Sequence, residues 1–374
     1  MSEASPATPQ SRKMLGYILG RVSIPFLAIV TALAVSSLAM IVAGTNPIVG
    51  YLSLAEGAFG SQAAVIETLI KATPFILAGL GIALAFRGGL FNIGMEGQLF
   101  VGSAVTVIIG YSLQLPPLVH VTLALAGGTA GGALWAAIPG YLKARTGAHE
   151  VITTIMTNFI ALRVINWAIG VDGPMRAPRS VVPETQAVFP SARLPALIPD
   201  TRLHAGFLLA LLAAVVVYWL LWRTVIGFEL RTVGANPSAA RYAGINVGRN
   251  IVRTMAISGA LGGLAGGIQV LGLQPYNFTT GFNVGYGFDS IAVAVLGSIH
   301  PFGVTLSALL FGAMDAGARL MQLRTKVPID IITIIQGLIL AFVAADQMIR
   351  SIYRIRARTE EGPVDLSQLW GGGS

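Results

Sequence analysis

Gly88-Gly89-Leu90-Phe91-Asn92-Ile93-Gly94-Met95-Glu96-Gly97-Gln98 interrupts a chain that is apolar on both sides of it. The run holds four glycines, two amides and one carboxylate. Glycines at that density weaken a continuous helix by about 1 kcal/mol each relative to alanine. A charged side chain near the bilayer centre costs roughly 2.5–3.5 kcal/mol, and open backbone there needs a partner other than lipid. The run must therefore line a cavity or pack against protein, which makes it the first candidate for a functional element. The membrane itself follows from composition. Hydrophobic residues make up 54% of the chain, charged residues 11%, and mean hydropathy is +0.74, whereas a soluble domain carries about 25% charged residues. The fold class is an all-α polytopic membrane protein, and 374 residues accommodate about ten spans of roughly 20 residues each.

Candidate spans cover residues 22–44, 63–86, 98–110, 118–140, 151–170, 205–222, 254–273, 286–299, 302–320 and 329–349. The segments 98–110 and 286–299 are short, one in each half of the chain. Short, glycine-interrupted segments in corresponding places point to a transport pathway built from two inverted pseudo-repeats. The expected layout is an N-terminal tail (1–21), a membrane domain (22–349) with an external loop at 171–204 and a cytoplasmic loop at 223–253, and a C-terminal tail (350–374) ending in a Gly-Gly-Gly-Ser linker scar. Arg12, Lys13 and Arg21 before the first span, Lys143 and Arg145, the arginines of 223–253, and those of the tail all fall on one side with ten crossings. The positive-inside bias makes that side the cytoplasm and puts both termini there. The proline-rich 171–204 loop carries four arginines, but long loops obey the bias poorly.

A net charge of +8 is thus explained by topology rather than by nucleic acid. No cysteine is present, so thiolate metal sites, disulfides and cysteine nucleophiles are excluded. The four histidines form no spaced cluster, and His149-Glu150 reads as a helix entry. Gly259, Gly263 and Gly267, and the pairs Gly127/Gly131 and Gly128/Gly132, recur every four residues, which lets membrane helices approach closely.

Asn92, Glu96 and Gln98 are the first candidates for the substrate pathway, because amides offer both donors and acceptors to a polar solute. Glu96 has two alternatives, capping a helix or pairing with Arg87. Asn158 faces the pathway or ties two helices together. Asp289 is the matching acid beside the second short span, or an N-cap for the residues after it. Glu67 and Lys71, one turn apart, are expected to neutralise each other, and Asp315 is either a partner for Arg163 or a group lining the path.

In the 223–253 loop, Asn236 suits an N-cap, Pro237 a first helical position and Gly244 a left-handed terminus. The helix between them is too short to be stable alone and needs a surface to pack on. It is either an ordinary connecting segment or a docking helix for a partner.

Three separated stretches make the chain resemble the permease subunits of ATP-binding-cassette importers for branched-chain amino acids, simple sugars and nucleosides. The first is Pro74-Phe-Ile-Leu-Ala-Gly-Leu-Gly81 continuing through the 88–98 run. The second is Gly147-Ala-His-Glu-Val-Ile-Thr-Thr-Ile-Met-Thr-Asn158. The third is 227–244 with Ser258-Gly-Ala-Leu-Gly-Gly-Leu-Ala-Gly266, Gly287-Phe-Asp-Ser-Ile-Ala-Val-Ala-Val-Leu-Gly297 and His300-Pro-Phe-Gly303. The Asn-Ile-Gly-x-Glu-Gly-Gln wording is most similar to nucleoside members, whose binding proteins are lipoproteins. The resemblance implies a dimeric importer in the cytoplasmic membrane of a prokaryote, with a second, different permease subunit, a binding lipoprotein, and ATP and Mg bound by a separate ATPase subunit. It implies no cofactor and no catalysis in this chain, and no Gly-x-x-x-x-Gly-Lys-Ser/Thr phosphate loop occurs in the sequence. It makes the region of Glu229, Arg231, Asn236, Ala239, Arg241, Tyr242 and Gly244 the contact to that ATPase. Two other classes compete. An intramembrane enzyme would need a paired nucleophile and base, which the scattered acids do not provide. A stand-alone ion-coupled transporter would use Glu96, Asp289 and Asp315 as relay groups.

Overall fold

The computed structural model describes residues 9–42, 44–279, 282, 285–326 and 330–344. The tail 350–374 and residues 345–349 of the last expected span lie outside the described residues. Among those described, structure is helical apart from two isolated bridges, Glu184 with Thr279 and Ala196 with His204. The helices are α1 (Pro9–Val42), α2 (Pro47–Phe59), α3 (Gln62–Arg87), α4 (Met95–Ser112), α5 (Pro117–Thr146), α6 (Glu150–Ala168), α7 (Gly206–Arg223), α8 (Val225–Ala235), α9 (Pro237–Tyr242), α10 (Val247–Gly272), α11 (Tyr286–Leu296), α12 (Pro301–Thr325) and α13 (Asp330–Ala344). Each expected span overlaps a helix among the described residues. Among the described residues six helices, α3, α5, α6, α7, α10 and α12, are long and apolar enough to cross a membrane unaided, or seven crossings if α1 and α2 form one broken span.

Burial identifies the centre. The apolar windows of α3 and α10 are 83% and 78% buried, against 28% for α5 and α7. A helix hydrophobic all round belongs in the middle of a bundle, and α3 and α10 are that middle. The glycine spacing explains how close α10 comes to its neighbours. A Cβ on Gly102 of α4 would lie 2.2 Å from the Gly263 Cα, and one on Gly132 of α5 would lie 2.7 Å from the same atom. Backbone meets backbone at Gly263, as the small-residue repeat requires.

Two helices escaped the sequence reading. α2 is capped by Asn46, whose side chain accepts from the Ile48 N–H, with Pro47 at the first position. α8 starts from Thr224, whose hydroxyl accepts from the Gly227 N–H. Both are short, and a span-length window averages them into their flanks.

Candidate functional site

The 88–98 run leaves α3 through Gly88 and Gly89, the latter at φ +70°, a conformation that favours glycine. Gly89 lies against α8. A Cβ there would meet the Gly234 Cα at 2.9 Å, and a Cβ on Gly234 would meet the Arg87 carbonyl at 2.2 Å. The run therefore begins at the segment that carries α9 and ends inside the bundle, where Met95–Gln98 open α4.

Its polar side chains are buried and mutually satisfied. Asn92 Nδ2 donates to Gln98 Oε1 at 3.0 Å and to Ser258 Oγ at 2.8 Å, while Asn92 Oδ1 accepts from Gln98 Nε2 at 2.9 Å and from the Gly94 N–H at 3.0 Å. All the donors and acceptors of that amide are used. Ser258 in turn donates to the Gly81 carbonyl at 2.7 Å, so α3, α4 and α10 are joined through Asn92. Asn158 of α6 grips the run from the other side. Its Nδ2 donates to the Ile93 carbonyl at 2.7 Å and its Oδ1 accepts from the Gly97 N–H at 2.8 Å. Glu150 takes Lys143 Nζ at 2.5 Å, at the helix entry the sequence suggested.

Glu96 does not pair with Arg87, whose Nε donates to the Ile299 carbonyl at 3.0 Å. Its carboxylate accepts from the Gly285 N–H at 2.7 Å and the Gly287 N–H at 2.6 Å. Those are orphan donors of the first turn of α11, whose own N-cap, Gly285, has no side chain to offer. Glu96 is thus an N-cap delivered from another helix, and the two glycine-interrupted segments of the sequence meet there. Gly287 allows the approach, since a Cβ on it would lie 2.3 Å from the Glu96 nitrogen. Asp289, in the first turn of α11 rather than at its cap, lines a cavity of about 440 Å³ with Lys71, Gln269, Asn277, Tyr286 and Asp315.

Two further expected pairings are replaced. Glu67 accepts from Arg202 at 3.3 Å instead of pairing with Lys71, and Lys71 Nζ lies 3.4 Å from the Tyr286 hydroxyl. A helix neighbour is available to Glu67, but the long loop brings a cation that reaches it from outside. Asp315 accepts from Gln336 at 2.9 Å, while Arg163 is exposed.

In the 223–253 segment, Asn236 accepts from the Ser238 and Ala239 N–H groups at 3.0 Å each, Pro237 opens α9, and Gly244 has φ +80°. Ala240 is the buried residue of α9; Ala239, Arg241 and Tyr242 are exposed, Tyr242 at 95%. Glu229 accepts from Asn250 at 3.1 Å and Arg253 at 3.3 Å, tying α8 to α10, and Arg231 Nε donates to the Leu221 carbonyl at 3.0 Å.

At the other end, His204 is 2% exposed and neither ring nitrogen has a hydrogen-bond partner. Burial, helped by Arg202, lowers its pKa to about 4. Because the unfolded chain holds the proton more tightly, stability is complete above pH 6.5 and falls as pH drops from 6.5 towards 4, by up to roughly 3 kcal/mol. The thermal midpoint of the purified protein should decline over that window, and a His204→Leu variant should lose the part of the slope due to this ring.

The family described as branched-chain amino acid transport system / permease component matches residues 64–344. The chain is 42% identical over 334 residues to the guanosine ABC transporter permease protein NupP of Bacillus subtilis, covering 89% of this chain and 96% of that one. It is 32% identical over 357 residues to a glucose ABC transporter permease protein of Haloferax volcanii, covering 92% and 93%. The guanosine ABC transporter permease protein NupQ of B. subtilis is 30% identical over 258 residues, covering 66% of this chain and 79% of that one. No solved structure matches the chain at a significant level. With a family match over most of its length and relatives aligned nearly end to end, this chain belongs to the branched-chain amino acid transport system permease family, the membrane components of ABC transporters.

Proposed function

We propose that the chain forms half of the membrane pathway of an ATP-driven importer whose solute is a nucleoside. The observation that carries this is the 42% identity to a guanosine permease over 96% of that protein, a closer match than the 32% to a glucose permease. The other half is a second, different permease subunit, supported by the likeness of this one chain to both NupP and NupQ of a single organism. ATP and Mg sit on a separate ATPase subunit, and a binding lipoprotein delivers the solute from outside. About ten crossings in two inverted pseudo-repeats put both termini and α8–α9 in the cytoplasm. Asp289 belongs to the solute route, and Asn92, Glu96, Gln98 and Asn158 set the position of its wall. Right-side-out membrane vesicles bearing the complete importer should take up labelled guanosine when ATP is enclosed in their lumen, with nucleosides competing and glucose not. Uptake that persists without the ATPase subunit and follows a proton gradient would overturn the reading.

The exposed face of α9 is the ATPase docking surface in this reading. A helix this short holds its shape by its Asn236 cap and the burial of Ala240, leaving Arg241 and Tyr242 for a partner. The few hot-spot residues that carry about 2 kcal/mol or more of binding are enriched in tyrosine and arginine. The Arg241→Ala/Tyr242→Ala double variant should lose at least nine-tenths of ATPase co-purification and of uptake. Normal association in that variant would place the docking surface elsewhere.

A further inference from the structure

The cavity beside Asp289 lies at the opposite end of the bundle from α9. Lys71 is sixteen residues before the end of α3 that touches α8, about 24 Å along the helix. Its volume, about 440 Å³, lies within the roughly 300–1,000 Å³ of small-molecule sites. Two amides on its wall are uncommitted, Gln269 at the cavity lining and Asn277 through a buried oxygen. Gln269 is 3% exposed, and its side-chain amide makes no hydrogen bond among the described residues. Asn277 is 8% exposed; its Nδ2 is anchored on Glu184 at 2.9 Å, which leaves Oδ1 buried and without a partner. Buried polar groups are ordinarily satisfied, and an unpaired one costs stability until something supplies the partner. The packed network around Asn92 leaves nothing unpaired, so the two sites differ in kind.

We propose that this cavity is a nucleoside-binding site contained within this single chain, with Gln269 and Asn277 reading the base edge and Asp289 accepting from the ribose hydroxyls. An amide presents donors and an acceptor side by side, matching the mixed edge of a purine, and a fixed carbonyl oxygen accepts from a ring or exocyclic N–H. A carboxylate accepts from hydroxyls more strongly than a neutral group. Phe282 and Tyr286 supply aromatic surface at the same wall, which a flat base uses and a sugar alone uses less. The cationic residues Lys71 and Arg202 are balanced by Asp289 and Asp315, so the lining has no formal net charge and suits a neutral nucleoside rather than its phosphate. The assignment rests on the nucleoside reading above.

The test is equilibrium dialysis of labelled guanosine against the permease–ATPase complex in nanodiscs, without the binding lipoprotein, alongside uptake by vesicles of the complete importer. Wild type should bind saturably, displaced by other nucleosides but not by guanosine monophosphate. Gln269→Leu and the near-isosteric Asp289→Asn should each raise Kd at least tenfold, a quantity independent of the fraction of protein correctly inserted. Unchanged Kd in both variants overturns the site, as does importing vesicles whose permease complex binds no guanosine. Vesicles that import no nucleoside overturn the functional reading and this assignment together.

Discussion

Glu96→Gln is expected to lower uptake at least tenfold while leaving the protein inserted and associated with its partners. The carboxylate accepts from the Gly285 and Gly287 N–H groups at 2.7 and 2.6 Å, one on each oxygen. Glutamine is nearly the same size but offers one acceptor and one donor group. One N–H of α11 then faces another N–H in a site that is 4% exposed. A buried group left unpaired costs roughly 1–3 kcal/mol, too little to unfold a protein with the usual 5–15 kcal/mol margin but enough to free the start of α11. That start carries Tyr286 and Asp289 into the cavity wall, so the consequence falls on solute handling. Glu96→Ala removes both acceptors and should be worse than glutamine. Gly287→Ala should resemble it, because a Cβ there overlaps the backbone of Glu96. Uptake per inserted protein in vesicles checks the order; wild-type uptake by Glu96→Gln would reduce this contact to helix packing.

The sequence made the 88–98 run conspicuous because polarity and glycine are expensive in lipid, and that part of the candidate site was legible for a local reason. So was α9, since Asn236, Pro237 and Gly244 each act within a few residues of themselves. What could not be read was which distant groups would meet. Capping is among the readings Glu96 allows, but nothing near it announces that the helix it caps begins almost two hundred positions away, and a glycine at an N-cap is silent about who caps it. Gln269 was hidden for a different reason: a single amide in an apolar helix reads as tolerated, and its lack of a partner exists only once the fold surrounds it. The Glu67–Lys71 pairing failed because helix spacing makes two charges neighbours but cannot exclude a better-placed arginine from a loop. The glycine repeat of α10, in contrast, specified its own use, since close backbone approach is the one thing a glycine face does well.

Gly234→Val is expected to separate ATP hydrolysis from uptake, with uptake down at least tenfold and hydrolysis by the assembled complex largely kept. Gly234 is where α8 rests on the end of α3. A Cβ would stand 2.2 Å from the Arg87 carbonyl, 2.7 Å from the Gly88 carbonyl carbon and 2.8 Å from the Gly89 nitrogen. All three are backbone atoms, so no rotamer change relieves the clash and α8 must move off the run. The displaced contact matters because 88–98 is continuous with Glu96, and Glu96 holds α11; movement at α9 reaches the cavity through a chain of backbone contacts only if α8 stays seated. Gly244 provides the control. It too is a glycine at the same end, with φ +80°, but a Cβ there meets nothing within 4 Å. Asparagine tolerates that left-handed conformation, so Gly244→Asn should retain most uptake. Equal losses in the two variants would mean that any disturbance of the segment suffices, whereas loss at Gly234 alone assigns transmission to the α8–α3 contact. Since α9 keeps its exposed face in both proteins, co-purification of the ATPase subunit should be normal in each, and that measurement separates failed transmission from failed docking.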